Sequence, residues 1–102
     1  MAITIGRFIF EGPFWSTDQL ESRSGVYAVL SQPSNGYTVV DVGESAQVRE
    51  RVRSHERERC WRANAAGGLT FAAHYTPGMQ QPGRMEIEQE LRRQYRPPCG
   101  ER

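Results

Sequence analysis

The chain contains no lysine: all thirteen of its cationic side chains are arginine. This removes the flexible point charge of an ammonium and leaves only planar, forked donors suited to carboxylate or phosphate, although a compositional bias produces the same pattern. Cysteine is almost as scarce. Cys60 and Cys99 stand far apart with no histidine at zinc-ligand spacing, so neither a metal knuckle nor a disulfide framework is indicated and a reducing compartment fits. Long apolar runs are missing as well. The first residues, Met1 to Glu11, alternate and meet charge at Arg7 and Glu11 before a signal-peptide core or a membrane span can form, so a cytoplasmic protein that does not enter a membrane is expected. There is no internal repeat, low-complexity tract or long basic tail, and at 102 residues the chain has room for one hydrophobic core and one site.

What the chain does have is an ordinary globular composition, 37% hydrophobic with a net charge of +1, which excludes intrinsic disorder. The small net charge conceals a local run. Arg49, Arg51, Arg53, Arg57, Arg59 and Arg62 are interleaved with Glu50, Glu56 and Glu58, the pattern of a solvated helix face with pairs three and four apart. A nucleic-acid partner is compatible with this run, but charge alone does not require one.

Hydrophobic periodicity supplies the elements. Ile3 to Phe10 alternates and predicts an edge strand ended by Gly12-Pro13. Gly25 to Leu30 and Tyr37 to Gly43 predict a hairpin around the Gln32-Pro33-Ser34-Asn35-Gly36 turn, and Leu69 to Tyr75 predicts a third central strand. Ser45 is placed as the N-cap of a helix running to about Trp61, with Val48 and Val52 on its buried stripe and Arg51 and His55 together on one flank. Arg49, Arg53 and Arg57 then point to solvent. A last helix, from about Arg84 to Tyr95, puts Ile87, Leu91 and Tyr95 on one face and stops before Pro97-Pro98. Of its carboxylates, Glu88 sits at the margin of that face and is both anchored and reachable, whereas Glu86 and Glu90 lie opposite. The fold class is therefore α+β, a central three-stranded antiparallel sheet flanked by helices, with an extra N-terminal edge strand, in a single domain spanning 1–102.

Five separated segments carry a more specific pattern: Gly25-Val26-Tyr27; Asp41-Val42-Gly43; Arg51 eight residues after that glycine; His55 four residues later; and Glu88-Gln89-Glu90-Leu91 followed by Tyr95 and Pro97. Together, over about residues 22–100, they resemble the GIY-YIG nuclease family. The resemblance implies a metal-dependent endonuclease that hydrolyses phosphodiester bonds in DNA with one divalent ion, Mg2+ or Mn2+. It implies that Tyr27 is the general base or orients the attacking water, a role that needs a charged surrounding to lower a phenol pKa of about 10. It further implies that Arg51 holds the scissile phosphate, that His55 assists proton transfer or keeps Tyr27 in register, and that Glu88 is the single protein ligand of the metal. Arg49 and Arg53 are the accompanying candidates for nucleic-acid contact.

Two positions depart from the family pattern. Asp41 stands where the second motif begins with tyrosine, and Gly100, rather than asparagine, follows the terminal Pro97-Pro98-Cys99. A carboxylate facing the site would ligate the metal beside Glu88, accept the nucleophile's proton, or repel the phosphate and mark a lost activity. Tyr37 falls on the same strand face as Asp41 but about 13 Å away at ~3.3 Å per residue, too far to stand in. The alternative to an enzyme is a catalytically inactive or altered GIY-YIG-like module that binds nucleic acid through its arginine helix or serves as a protein-interaction subunit. No zinc finger or helix-turn-helix is attached, so specificity would come from the domain itself or from a partner protein.

Overall fold

The computed structural model describes residues 1–34 and 36–100; Asn35, in the expected hairpin turn, lies outside the described residues. The chain runs β1 (Ala2–Ile5), β2 (Phe8–Phe14), a 3-10 turn at Thr17–Gln19, β3 (Gly25–Ser31), β4 (Thr38–Ser45), α1 (Val48–Arg53), α2 (Glu58–Ala63), β5 (Leu69–Tyr75) and α3 (Gln81–Tyr95). Its α+β architecture agrees with expectation. The expected central trio is present, β5 and β4 flanking β3 in antiparallel register.

The sheet is larger than expected, with five strands in the order β1-β2-β5-β3-β4. The segment read as one edge strand is a hairpin whose turn is made at Gly6, with φ of 61°. That left-handed geometry suits glycine, and a Cβ there would also lie 2.6 Å from Leu91 Cδ2 of α3. Nor does Gly12-Pro13 end the strand. β2 continues to Phe14, and a register shift between Glu11 and Phe14 accommodates the pair.

β3, with every residue buried, divides two cores. On one face Ile5, Phe10, Val26, Ala28, Leu30 and Val42 pack under Ile87 and Leu91 of α3; on the other Leu20, Tyr27, Val29 and Val40 pack under Val48, Val52 and Trp61. Burying side chains of this size contributes roughly 1.5–3 kcal/mol each relative to exposure, so the two faces rather than helix propensity fix the short helices.

The expected Ser45–Trp61 helix is broken in two. Ser45 ends β4, its Oγ accepting the Gln47 N–H at 2.9 Å, and Gln47 is the residue that precedes α1. After Arg53 the chain leaves the helix and His55 turns inward between α1 and α2, its ring 4.6 Å from that of Trp61. α3 starts at Gln81, earlier than expected, with Pro82 in the first turn, where its missing N–H costs nothing. A register shift between Val29 and Leu30 opposite Val40 also moves Tyr37 to the opposite face from Asp41, where it packs on the α3-side core and donates to Thr4 O at 2.8 Å.

Cys60 and Cys99 form a disulfide, which corrects the reading that none is indicated and removes its support for a reducing compartment. The sequence separation hides the pairing: α2 and the C-terminal tail meet only because both fold over β4, where the Cys99 N–H donates to Val40 O at 3.1 Å. Among the described residues no helix is long and apolar enough to cross a membrane.

Candidate active site at the Gly43 end of the edge strand

The site forms where β4, an edge strand, leaves the sheet. Tyr27 pairs across the ladder with Gly43, and a Cβ at position 43 would collide with the Tyr27 hydroxyl. Glycine at that place lets the phenol lie across β4 with its oxygen at the wall of a cavity of about 520 Å³. Tyr27, Gly43, Glu44, Arg51, Arg57 and Glu88 are among the residues lining it. Two of the four residues expected at the reacting centre on one stretch of chain, Tyr27 and Arg51, thus meet Glu88 from α3 in one place.

His55 does not line the cavity but lies behind Tyr27, with its Nε2 2.7 Å from Tyr27 Oη. Its Nδ1 accepts the Arg57 backbone N–H at 3.0 Å, which assigns the ring proton of neutral His55 to Nε2 and makes Tyr27 Oη the acceptor. The hydroxyl's own proton is then free for the cavity. Burial, reinforced by Arg51 and Arg57, pulls the His55 pKa down to about 4, so the ring is neutral near pH 7.

Tyr27 is perturbed in the opposite direction from that expected. Burial first, then Asp41, pushes the phenol well above its ordinary range, and the opposing pull of Arg51 and Arg57 does not compensate. The group is a neutral hydrogen-bond donor at physiological pH.

Arg51 presents its fork to Glu56, with Nη1–Oε1 at 2.8 Å and Nη2–Oε2 at 2.9 Å, and holds that exposed carboxylate down to about 2. A carboxylate and a phosphate offer the fork the same pair of oxygens, so its geometry suits either group. Glu88 is half-sequestered: burial raises its pKa against the pull of Arg92, whose Nε stands 3.5 Å from Oε2. Nearby Glu44 is already committed, accepting from Arg84 Nε at 2.9 Å and Gln81 Nε2 at 3.0 Å.

Asp41 lies on the same sheet face as Tyr27, two residues along β4 from Gly43, yet it does not reach the cavity. It has no solvent exposure. Its Oδ2 accepts from Arg57 Nε at 2.8 Å and Trp61 Nε1 at 2.7 Å, and its Oδ1 accepts from Arg92 Nη2 at 2.6 Å and from the Val42 N–H at 2.8 Å. With both oxygens hydrogen-bonded and the carboxylate outside the cavity lining, the structure does not bring Asp41 beside Glu88, where the expected roles as metal ligand or proton acceptor would place it.

Arg49 and Arg53 stand apart from the cavity. Arg53 pairs with Asp18 beside the 3-10 turn, and Arg49 Nη2 lies 3.6 Å from Glu50. Sequence reasoning missed Glu44, Arg57, Gln81 and Arg84 as lining residues. Glu44 directly follows Gly43, and Arg84 precedes Glu88 by one helical turn, so both carried a usable signal; Arg57 was concealed by the unexpected break between α1 and α2.

The donor set fits a hard divalent cation held sparingly. Among the described residues no three His, Cys, Asp or Glu side chains cluster as a metal cage, and Glu88 offers a partly buried carboxylate with one long contact. Mg2+ commonly takes one or two carboxylates and fills its other positions with water and phosphate oxygens.

No protein-family model matches the chain, and no curated protein matches it either. The fold does match solved structures of the GIY-YIG N-terminal endonuclease domain of UvrC from Thermotoga maritima. Three point mutants of that domain, two tyrosine-to-phenylalanine and one asparagine-to-alanine, each described as bound to a catalytic divalent cation, superpose with a TM-score of 0.59 at 18–20% sequence identity. Each alignment covers 84% of this chain and 91% of the UvrC domain. The fold of this chain is the GIY-YIG fold.

Proposed function

We propose that the cavity at Gly43 is the active site of a metal-dependent endonuclease acting on DNA. The observation that carries this reading is the convergence of the Tyr27 hydroxyl, the Arg51 fork and the Glu88 carboxylate on one cavity from three separate elements. In the reaction, water forms a new P–O bond, the bond to the leaving sugar oxygen breaks, and one proton passes from the water to that oxygen.

Glu88 is the residue that would hold the divalent ion, which when bound supplies Lewis-acid polarisation of a phosphate oxygen. Arg51 releases Glu56 and takes the phosphate, meeting the charge that grows on it in the transition state. Tyr27, a neutral donor with its proton free for the cavity, orients the attacking water; its raised pKa argues against a resting phenolate base. His55, donating from Nε2, fixes the phenol in its place at the cavity. Magnesium is the metal favoured by the single carboxylate.

A nicking assay on supercoiled plasmid DNA with Mg2+ or Mn2+ tests this. Arg51→Ala is expected to cost about 10²–10³-fold in rate, as loss of a transition-state donor does, and Glu88→Ala to abolish metal-dependent cleavage. Cleavage that survives both substitutions would sink the proposal. The inactive nucleic-acid-binding or protein-interaction module is favoured by the committed Arg51–Glu56 pair, and salt-dependent DNA binding without cleavage would support its nucleic-acid form.

A further inference from the structure

Asp41 occupies the place where the resembled family has tyrosine, and its carboxylate does something a phenol cannot. It binds two guanidinium groups at once, Arg57 from the α1–α2 break and Arg92 from α3, which arrive from opposite sides of the edge strand β4. Glu88 also lies beside Arg92 and Glu56 beside Arg57, so the charges are close to balanced, but the two arginines are not equally covered. The Arg92 side chain is 11% exposed and also lies beside Glu88, whereas the Arg57 side chain is 25% exposed.

The bonds of Arg57 determine which part of it is available. Nε donates to Asp41 Oδ2 at 2.8 Å and Nη2 lies 3.4 Å from Oδ1, so Asp41 takes one edge of the guanidinium. Nη1 is left outside that pair, its nearest acidic partner being Glu56 Oε2 at 3.8 Å. Arg57 and Glu88 are the two residues shared by the cavity at Gly43 and a neighbouring one of about 760 Å³, which is also lined by Arg92, Arg93 and Arg96. Arg57 therefore sits on the ridge between the proposed scissile position and an arginine-rich groove.

We infer that Arg57 is a second phosphate-binding arginine, contacting the nucleic-acid backbone where it passes from the cavity at Gly43 into the arginine-lined groove, and that Asp41 is its positioning residue. This inference rests on the nuclease reading of the neighbouring cavity. The ligand chemistry is a phosphodiester chain: one phosphate at Arg51, and the backbone leaving over Arg57 toward the exposed Arg93 and Arg96, Arg92 being committed to Asp41, Glu88 and the Cys99 carbonyl. Asp41 contributes by ordering the guanidinium on folding, so that its planar fork does not have to be immobilised when the backbone arrives.

The test measures binding of a 20-base-pair duplex at several salt concentrations in EDTA, and separately cleavage with Mg2+, for wild type, Arg57→Gln, Arg57→Lys and Asp41→Asn, all at a temperature where melting curves show each protein folded. Arg57→Gln is expected to reduce the slope of log affinity against log salt by about 1, the signature of one lost phosphate contact, and to slow cleavage about 10-fold or more. Arg57→Lys is expected to restore the slope but not the rate, because charge returns without the fork. Asp41→Asn is expected to keep most of the slope while lowering the rate, a split that a purely structural residue would not produce. An unchanged slope with Arg57→Gln overturns the inference, and so does Arg57→Lys cleavage equal to wild type if Arg57→Gln does not fold. The two proposals fail separately. A wild type that does not cleave, but whose slope falls with Arg57→Gln, refutes the nuclease and leaves the phosphate contact standing. A wild type that cleaves and is indifferent to Arg57→Gln refutes the contact alone.

Discussion

Two positions on one face of β4, Gly43 and Asp41, show opposite uses of the same strand. At Gly43 the side chain is absent, the phenol of Tyr27 crosses the strand, and a cavity lined by Arg51 and Glu88 opens. At Asp41 the strand carries a charge with no exposure at all, surrounded by Arg57, Arg92 and Trp61 and fully hydrogen-bonded. The open end has groups with unfilled capacity, whereas the carboxylate at the closed end has none. Proximity to a site along a strand is therefore not membership of it. What decides is whether a polar atom still has a bond to make.

The largest effect expected from breaking this comparison is at the closed end. Asp41→Ala leaves two arginines facing a buried position without their carboxylate and is expected to destabilise the protein by about 3–5 kcal/mol, measured by urea unfolding. A loss under ~1 kcal/mol would mean that the network is not a structural anchor. Next in size is the disulfide that fastens α2, and with it Trp61, to the tail beside β4. Replacing Cys60 and Cys99 together by serine is expected to cost about 2–4 kcal/mol, and an equal melting temperature for the oxidised protein and the double variant would contradict it.

At the open end the expected structural cost is smaller. Gly43→Ala forces the Tyr27 hydroxyl aside and is expected to cost about 1–3 kcal/mol, the usual range for overpacking, while displacing the phenol from the cavity. A fully active Gly43→Ala variant would show that Tyr27 does not need its position across β4. A further effect is a pH dependence. His55 has a folded pKa of about 4, below its unfolded value of about 6.5, so the unfolded chain binds more protons between these values. The corresponding stability is complete above about pH 6.5 and is lost as pH falls toward 4. His55→Gln should flatten that part of a stability-against-pH curve, and an unchanged curve would remove His55 as its source.

The sequence made the two ends legible to different degrees. Alternation exposed the three central strands and the Val48–Val52 stripe because burial on a sheet face or helix face leaves a period. The joint spacing of Tyr27, Gly43, Arg51 and Glu88 reached the cavity because those positions are set by register and helical turn. The break before His55 had no glycine or proline to announce it, since the turn serves to bury an imidazole between Tyr27 and Trp61. For the same reason the Arg57 contact, the fate of Asp41 and the Cys60–Cys99 pairing were hidden: each depends on segments that meet only around the edge of β4. The N-terminal hairpin was missed differently: the apolar period slips from odd to even positions between Ile5 and Phe8, and that slip at Gly6-Arg7 was the available signal.

The most direct test of the central claim is a crystal of the protein soaked with Mn2+ and examined by anomalous scattering. The account predicts one manganese peak within ligand distance of Glu88, in the cavity bounded by Tyr27 and Arg51, with Asp41 still bonded to Arg57, Arg92 and Trp61. Manganese bound by Asp41, or no peak at Glu88 under saturating metal, would contradict it.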